Sequence, residues 1–160
     1  MMRVFLYMLV IVIVGCKSIN KNSLNTQTKE LPIQIISSGF LYGNGIEGIS
    51  KSNSIVKNRK DWELLVNKMN LGNTSSLKLK KSSIDFSNEM VVCVFDTIRN
   101  TGGFKIEIDK IYIENDRTRI DYTIVRPAFK DKVTMVITQP YQIVKTTKRE
   151  GEIIFTNTEN

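Results

Sequence analysis

Two thiols, no imidazole and a scatter of carboxylates are the reactive groups this chain offers. Without histidine there is no Ser-His-Asp or Cys-His arrangement, and the usual zinc constellations are missing as well. Hydrolysis would then need paired carboxylates or a lysine base. Asp96, Glu107, Asp109, Glu114, Asp116 and Asp121 are spread along alternating segments, as solvated strand edges are, and no pair stands out. The reading is therefore of a chain that binds, with no catalytic residue, metal or cofactor expected. A histidine-free hydrolase is the competitor, and turnover on a panel of peptides, esters and glycosides would reveal it.

The two thiols have different expected fates. Arg3 gives a short positive start, Val4 to Val14 form one unbroken apolar run, and Gly15-Cys16 follow directly. Such a run is short for a permanent membrane span but suits the core of a secretory signal. Ile13-Val14-Gly15-Cys16 resembles a bacterial lipobox, in which the cysteine sulfur is acylated and the residue becomes the mature N-terminus. Each buried methylene contributes about 0.8 kcal/mol, and two or more acyl chains give stable attachment. The plainer alternative is an uncleaved anchor with a chance cysteine. Cys93 lies in Met90-Val91-Val92-Cys93-Val94-Phe95, the composition of a buried strand, and reads as a small core residue. With Cys16 committed to lipid, no disulfide is expected.

Residues 1–15 are thus expected to be a signal peptide and 16–30 a flexible tether, polar enough to stay unfolded. Random-coil scaling gives the tether a reach of about 20 Å. No acidic cluster follows Cys16, which favours a periplasm-facing position on the bacterial cell envelope. Residues 31–157 form the single domain that 41% hydrophobic content can support.

The formal net charge is +7, and +6 once Arg3 leaves with the signal. The densest basic cluster is Lys78, Lys80 and Lys81, interleaved with Leu77 and Leu79. An exported chain rarely meets nucleic acid, so anionic lipid, glycan or an acidic partner would be its counterpart; the plain reading is a solvated lysine-rich segment. Salt-sensitive liposome binding that vanishes when all three lysines become glutamate would mark the lipid-binding alternative.

One helix is expected. Asn58 is a good N-cap, Asp61 sits in the first turn, Trp62, Leu65, Val66 and Met69 share a face, and Gly72 supplies the stop. Around it the pattern is of strands. Ile33 to Ile36 ends at Ser37-Ser38-Gly39, Tyr42-Gly43-Asn44-Gly45 is a turn, and Gly48-Ile49 belongs to a loop leading to Ile55-Val56. Met90–Phe95, Phe104–Ile113, Arg119–Val125, Val133–Thr138, Tyr141–Thr146 and Ile153–Phe155 follow, with a turn at Asn115-Asp116. Regular turns between alternating strands predict a mainly β, α+β fold: an antiparallel sandwich or open barrel with one packed helix.

Two junctions are more particular. In Asn100-Thr101-Gly102-Gly103-Phe104 the paired glycines permit a tight turn with positive φ and unshielded backbone N–H groups, Thr101 can bond across it, and Phe104 re-enters the core. In Thr138-Gln139-Pro140-Tyr141 the proline interrupts a ladder that Tyr141 restarts. Asn100, Thr101, Gly102, Gly103, Phe104, Pro140 and Tyr141 are the candidate contact residues, although a folding turn, a bulge and a core aromatic would explain them too.

Asp61-Trp62 in the helix, Asp85-Phe86 before Glu89-Met90-Val91-Val92, Thr101 to Phe104, Pro140-Tyr141-Gln142-Ile143-Val144-Lys145 and the closing Phe155 follow one another in an order that resembles the C-terminal domain of the PrcB family. The resemblance covers about residues 58 to 156. Asn100 replaces the family's common proline, and Ala128-Phe129 replaces a loop richer in glycine and proline. The family takes its name from a lipoprotein subunit that accompanies a secreted subtilisin-like protease. The resemblance implies a lipid-anchored, non-enzymatic module that holds or stabilises an exported protease or another envelope protein, with oligomeric state left open. The glycine turn is also loosely similar to the loop by which chagasin-type inhibitors plug a protease cleft. Replacing Cys16 with serine is expected to move the protein from the membrane fraction to the soluble one; persistence in the membrane would indicate an uncleaved anchor.

Overall fold

Strands β4 (Glu89–Phe95) and β7 (Gln139–Thr147) carry apolar residues on both sides of the pleat, so the chain must cover both of their faces. A computed structural model describes residues 28–42, 44–72, 79 and 82–158, and shows how this is done. The two strands pair antiparallel at the centre of a sheet ordered β2 (Gln34–Leu41), β7, β4, β3 (Ser52–Val56). The second sheet is ordered β1 (Lys29–Glu30), β5 (Lys105–Glu114), β6 (Arg117–Val125), β8 (Ile153–Asn157). The expected mainly β fold with one packed helix is observed, as an open sandwich whose sheets do not close into a barrel.

Helix α1 (Arg59–Met69) covers one face of the central pair. Trp62, Val66 and Met69 are buried against Val91, Cys93, Phe95, Tyr141 and Ile143. The opposite face, through Val92, Val94 and Val144, meets Ile106, Ile108, Ile111, Ile120, Tyr122 and Ile124 of the second sheet. The result is three layers, helix on sheet on sheet, with two apolar interiors.

The helix begins where its sequence directs. Asn58 Oδ1 accepts the Asp61 backbone N–H at 2.9 Å and Asn58 Nδ2 donates to the Asp61 carboxylate at 2.7 Å. It stops three residues before Gly72, because the backbone N–H groups of Asn70 and Leu71 already satisfy the last-turn carbonyls of Val66, Asn67 and Lys68. At the entry to β4, Asp85 makes a tight side-chain turn, accepting from Ser87 N–H at 3.0 Å and Asn88 Nδ2 at 2.9 Å. Phe86 lies beneath the Arg59 guanidinium, 5.3 Å from its ring centroid.

Four elements depart from the sequence reading. Strand β2 runs through Ser37-Ser38-Gly39 to Leu41, its irregularity absorbed by a bulge between Ile35 and Ser37. An edge strand does not need apolar residues at every inward position, so the polar pair did not end it. In β5 the alternation of Ile106 and Ile108 is broken by a bulge before Lys110, which turns Ile111 inward in place of Lys110. The Ile108 N–H donates across the sandwich to Gln142 Oε1 of β7. Strand β8 leaves the sheet of β7 and pairs parallel with β6, the one parallel pairing among the described strands. Because no hairpin joins β7 to β8, turn geometry does not set the direction of β8. The apolar run Val133–Thr138 forms no strand; only Thr138 bridges to Arg99. It meets no partner ladder over its length, and β propensity without pairing does not make a strand. Lys29 and Glu30, at the end of the expected tether, pair with Ile113 and Tyr112. Asn115 and Asp116 turn the β5–β6 hairpin with φ of 50° and 61°, values that asparagine and aspartate tolerate better than most residues.

Glu89 links the central strands electrostatically. Its carboxylate accepts from Lys145 Nζ at 2.9 Å and from the Asp85 backbone N–H at 2.9 Å. The lysine bond, then the backbone bond, hold the Glu89 carboxyl below its ordinary range, and the Asn88 and Ser87 bonds do the same for Asp85. Carboxyls depressed on folding stabilise the native state above their unfolded pKa values of about 4, and that stabilisation is lost as pH falls through the folded values. The urea midpoint is therefore expected to drop between about pH 5 and pH 3, and to drop less steeply in Glu89→Gln. Parallel pH profiles for the two proteins would remove this linkage.

Candidate functional site

Three connections gather at one end of the sandwich: residues 42–51 between β2 and β3, 96–104 between β4 and β5, and 126–138 between β6 and β7. Gln139, the first residue of β7, ties two of them by donating from Nε2 to the Ile49 carbonyl at 2.8 Å and the Asp96 carbonyl at 2.9 Å. The 96–104 and 126–138 connections are joined by reciprocal backbone bonds, Arg99 N–H to Thr138 O at 2.7 Å and Thr138 N–H to Arg99 O at 2.9 Å.

The Asp96 carboxylate is fully buried at the root of this assembly. Arg99 reaches it at 2.7 Å, and the same guanidinium lies 4.4 Å from the Phe104 ring centroid. One cation thus neutralises a buried anion and stacks on an aromatic face, which fixes the course of residues 96–104. Phe104 is half-buried under Arg99 and takes no place in either core cluster.

The Thr-Gly-Gly segment crosses from one sheet to the other; it is not a hairpin tip. Gly102 is buried, and its N–H, expected to be unshielded, donates to the Thr134 carbonyl at 2.9 Å. A Cβ at Gly102 would stand 2.4 Å from Thr134 Oγ1. Gly103 has φ +90°, and a Cβ there would come within 2.8 Å of Val133 and 3.0 Å of Pro127. The hydroxyl that bonds across this junction belongs to Thr138, which donates to the Thr101 carbonyl at 3.0 Å. Glycine is required here for close approach of the neighbouring loop. Asn100 and Gly103 are exposed, and Thr101 is half-buried.

Pro140 and Tyr141 belong to the interior. Pro140 stays within the ladder opposite Phe40 and accepts the Asp96 N–H at 2.9 Å through its carbonyl, so it does not interrupt the strand. Tyr141 packs on Phe95 with ring centroids 5.9 Å apart, and its hydroxyl lies 3.0 Å from Ser37 Oγ. Cys93 is buried, and burial pushes its thiol up to about 12 despite a bond from Ser54, so it is a poor nucleophile. Cys16 and the lysines 78, 80 and 81 lie outside the described residues. Among the described residues no group of three His, Cys, Asp or Glu side chains is placed to hold a metal, and no helix is long and apolar enough to cross a membrane.

What the motifs missed is the apolar surface of these loops. Phe129 is fully exposed, Met135 is 83% exposed, and Ile98, Val136 and Ile137 are also open to solvent. Ile98 touches the 42–51 connection, where a methyl group added at Gly45 would lie 3.1 Å from its Cδ1. An open hollow of about 370 Å³ lies beside it, lined in part by Gly45, Ile49, Lys51, Thr97 and Gln139. Lys51, Arg126, Lys130 and Lys132 are exposed on the same loops, whereas Asp131 caps the Ala128 N–H at 2.8 Å. Val133–Thr138 was expected only as a strand; Phe129, with no apolar periodicity around it, was the available signal.

Fold and loops together define a β-sandwich domain that presents apolar and basic side chains on a rigid end. Residues 90–147, from β4 through β7, match the family described as PrcB C-terminal. The match includes Thr101 to Phe104 and Pro140-Tyr141; Asp61-Trp62, Asp85-Phe86 and Phe155 lie outside it. Comparison with curated proteins and with solved structures gives no match.

Replacing Gly103 with valine is expected to destabilise the domain by about 1–3 kcal/mol, since φ is positive and Val133 and Pro127 crowd the new Cβ. An unchanged melting temperature would show that the two loops part freely.

Proposed function

We propose that this chain is a non-enzymatic subunit of an exported protease complex, held at the bacterial envelope by lipid on Cys16, that grips its partner with the loop end of the sandwich. The family of residues 90–147 supports the link to a protease complex. The observation that carries the contact role is the group of exposed apolar residues on those loops, Phe129 and Met135 foremost. Isolated exposed apolar residues need no explanation, but several on two loops braced by a buried ion pair are the makings of an interface. A braced surface loses little ordering entropy on docking, which leaves more of the burial energy as affinity.

Full-length tagged protein solubilised gently from its own membranes is expected to retain an exported protease. The double variant Phe129→Ser, Met135→Ser should lower that recovery more than tenfold, as expected of anchors worth about 2 kcal/mol each. Thermal stability should stay at the level of the native chain, because both side chains are already in water. Recovery of the protease in equal amounts would move the contact to another face; recovery of none with the native chain would end the protease reading.

A further inference from the structure

Among the described residues four strands end the two sheets: β1, β2, β3 and β8. Three of them carry familiar protection against unwanted pairing. Strand β1 has two residues, Lys29 and Glu30, both charged. Strand β3 has five, flanked by Lys51 and Lys57. Strand β8 also has five, and at its start Glu152 is paired with Arg117. Short length and flanking charge are how sheet edges are kept from adding strands.

Strand β2 is different. It has eight residues, Gln-Ile-Ile-Ser-Ser-Gly-Phe-Leu, with no charge and no proline, and no described strand lies on its outer side. Ile35 is 60% exposed on it. Its order is apolar, Ser-Ser-Gly, apolar, so a reversed copy resembles the original. The bulge sharpens this symmetry. Ile35 stands opposite Val144, and Ser38 and Phe40 opposite Gln142 and Pro140, so all three face the second sheet's side. Ser37, Gly39 and Leu41 take the helix side, and the extra residue Ile36 packs into the helix-side core.

We propose that the outer edge of β2 is a self-association site, pairing antiparallel with β2 of a second copy about Ser38. In that register Ser38 lies opposite Ser38 of the other copy, Gly39 opposite Ser37, and, once Ile36 is passed over as the bulged residue, Phe40 opposite Ile35. Every pair then shares a face, which a register moved by one residue would destroy. The Phe40–Ile35 pair, formed twice by symmetry, is the aromatic–β-branched combination that stabilises neighbouring strands. No charge opposes a like charge. The joined sheets form one eight-stranded sheet across a two-fold axis, the commonest arrangement for identical subunits. Both loop ends stay outside the contact.

Directly opposed residues in an antiparallel pair have Cα atoms about 4.5–5.5 Å apart, within the span of about 4.4–6.8 Å that a disulfide bridges. The test is mild oxidation of the full-length protein carrying Ser38→Cys, with Ser87→Cys, on the turn before β4, as the exposed control. Cys93 does not interfere because it is buried. Ser38→Cys is expected to give a disulfide-linked dimer at least tenfold faster than Ser87→Cys, and adding Ile35→Lys should abolish that advantage while Trp62 fluorescence reports an intact fold. Equal rates at the two positions, or a rate indifferent to Ile35→Lys in a folded protein, would overturn the proposal. Sedimentation of the full-length protein without added cysteine should show dimers, and a monomer at every concentration tested would equally refute it.

Discussion

The pairing of β4 with β7 is the constraint on which the rest of the molecule depends. Val91, Cys93, Phe95, Tyr141 and Ile143 point one way and Val92, Val94 and Val144 the other, so neither strand can rest at a surface. Covering one face calls for the amphipathic helix with Trp62, and covering the other calls for the β5–β6 hairpin. The same two strands place Asp96 and Gln139 at their shared end, where their backbones and side chains organise the connections. Core and surface are thus two results of one ladder.

The loop end shows how an apolar surface can be kept open to water without collapsing onto the domain. Asp96 and Arg99 anchor one segment from below, and Phe104 holds the guanidinium from above. Thr138 and Gln139 bring in the neighbouring connections by backbone and amide bonds. A buried ion pair seldom adds net stability over a well-packed apolar replacement, but losing one partner leaves the other charge stranded. That asymmetry makes Asp96 and Arg99 a device for defining shape. The exposed apolar side chains are displayed on what this device holds still.

Local chemistry was the legible part of the sequence. Asn58 and Asp61 announced the helix start, the 90–95 run announced a buried strand, and Asn115-Asp116 announced a hairpin, because each signal acts over a few residues. The fold class followed from their repetition. What could not be read depended on distant neighbours. Nothing near Ile108 reveals that Gln142, from the opposite sheet, will satisfy its N–H and permit the bulge. Val133–Thr138 has the composition of a strand and lacks only a ladder, which is a property of the whole topology. Thr101-Gly102-Gly103 was read as a tight turn with positive φ, which Gly103 has, but the need for glycine against a neighbouring loop was not visible. The reason lies in Thr134, Val133 and Pro127, some thirty residues away in the chain.

Gly102 and Gly103 let a second segment settle directly on their backbone, so residues 96–104 and 126–138 are packed as one unit. Transplanting this tip onto a foreign scaffold would therefore require both segments and the strand ends beneath them. By the same logic, a lone substitution in either segment is felt in the other, and variation at one is expected to be tolerated only when the other changes to match.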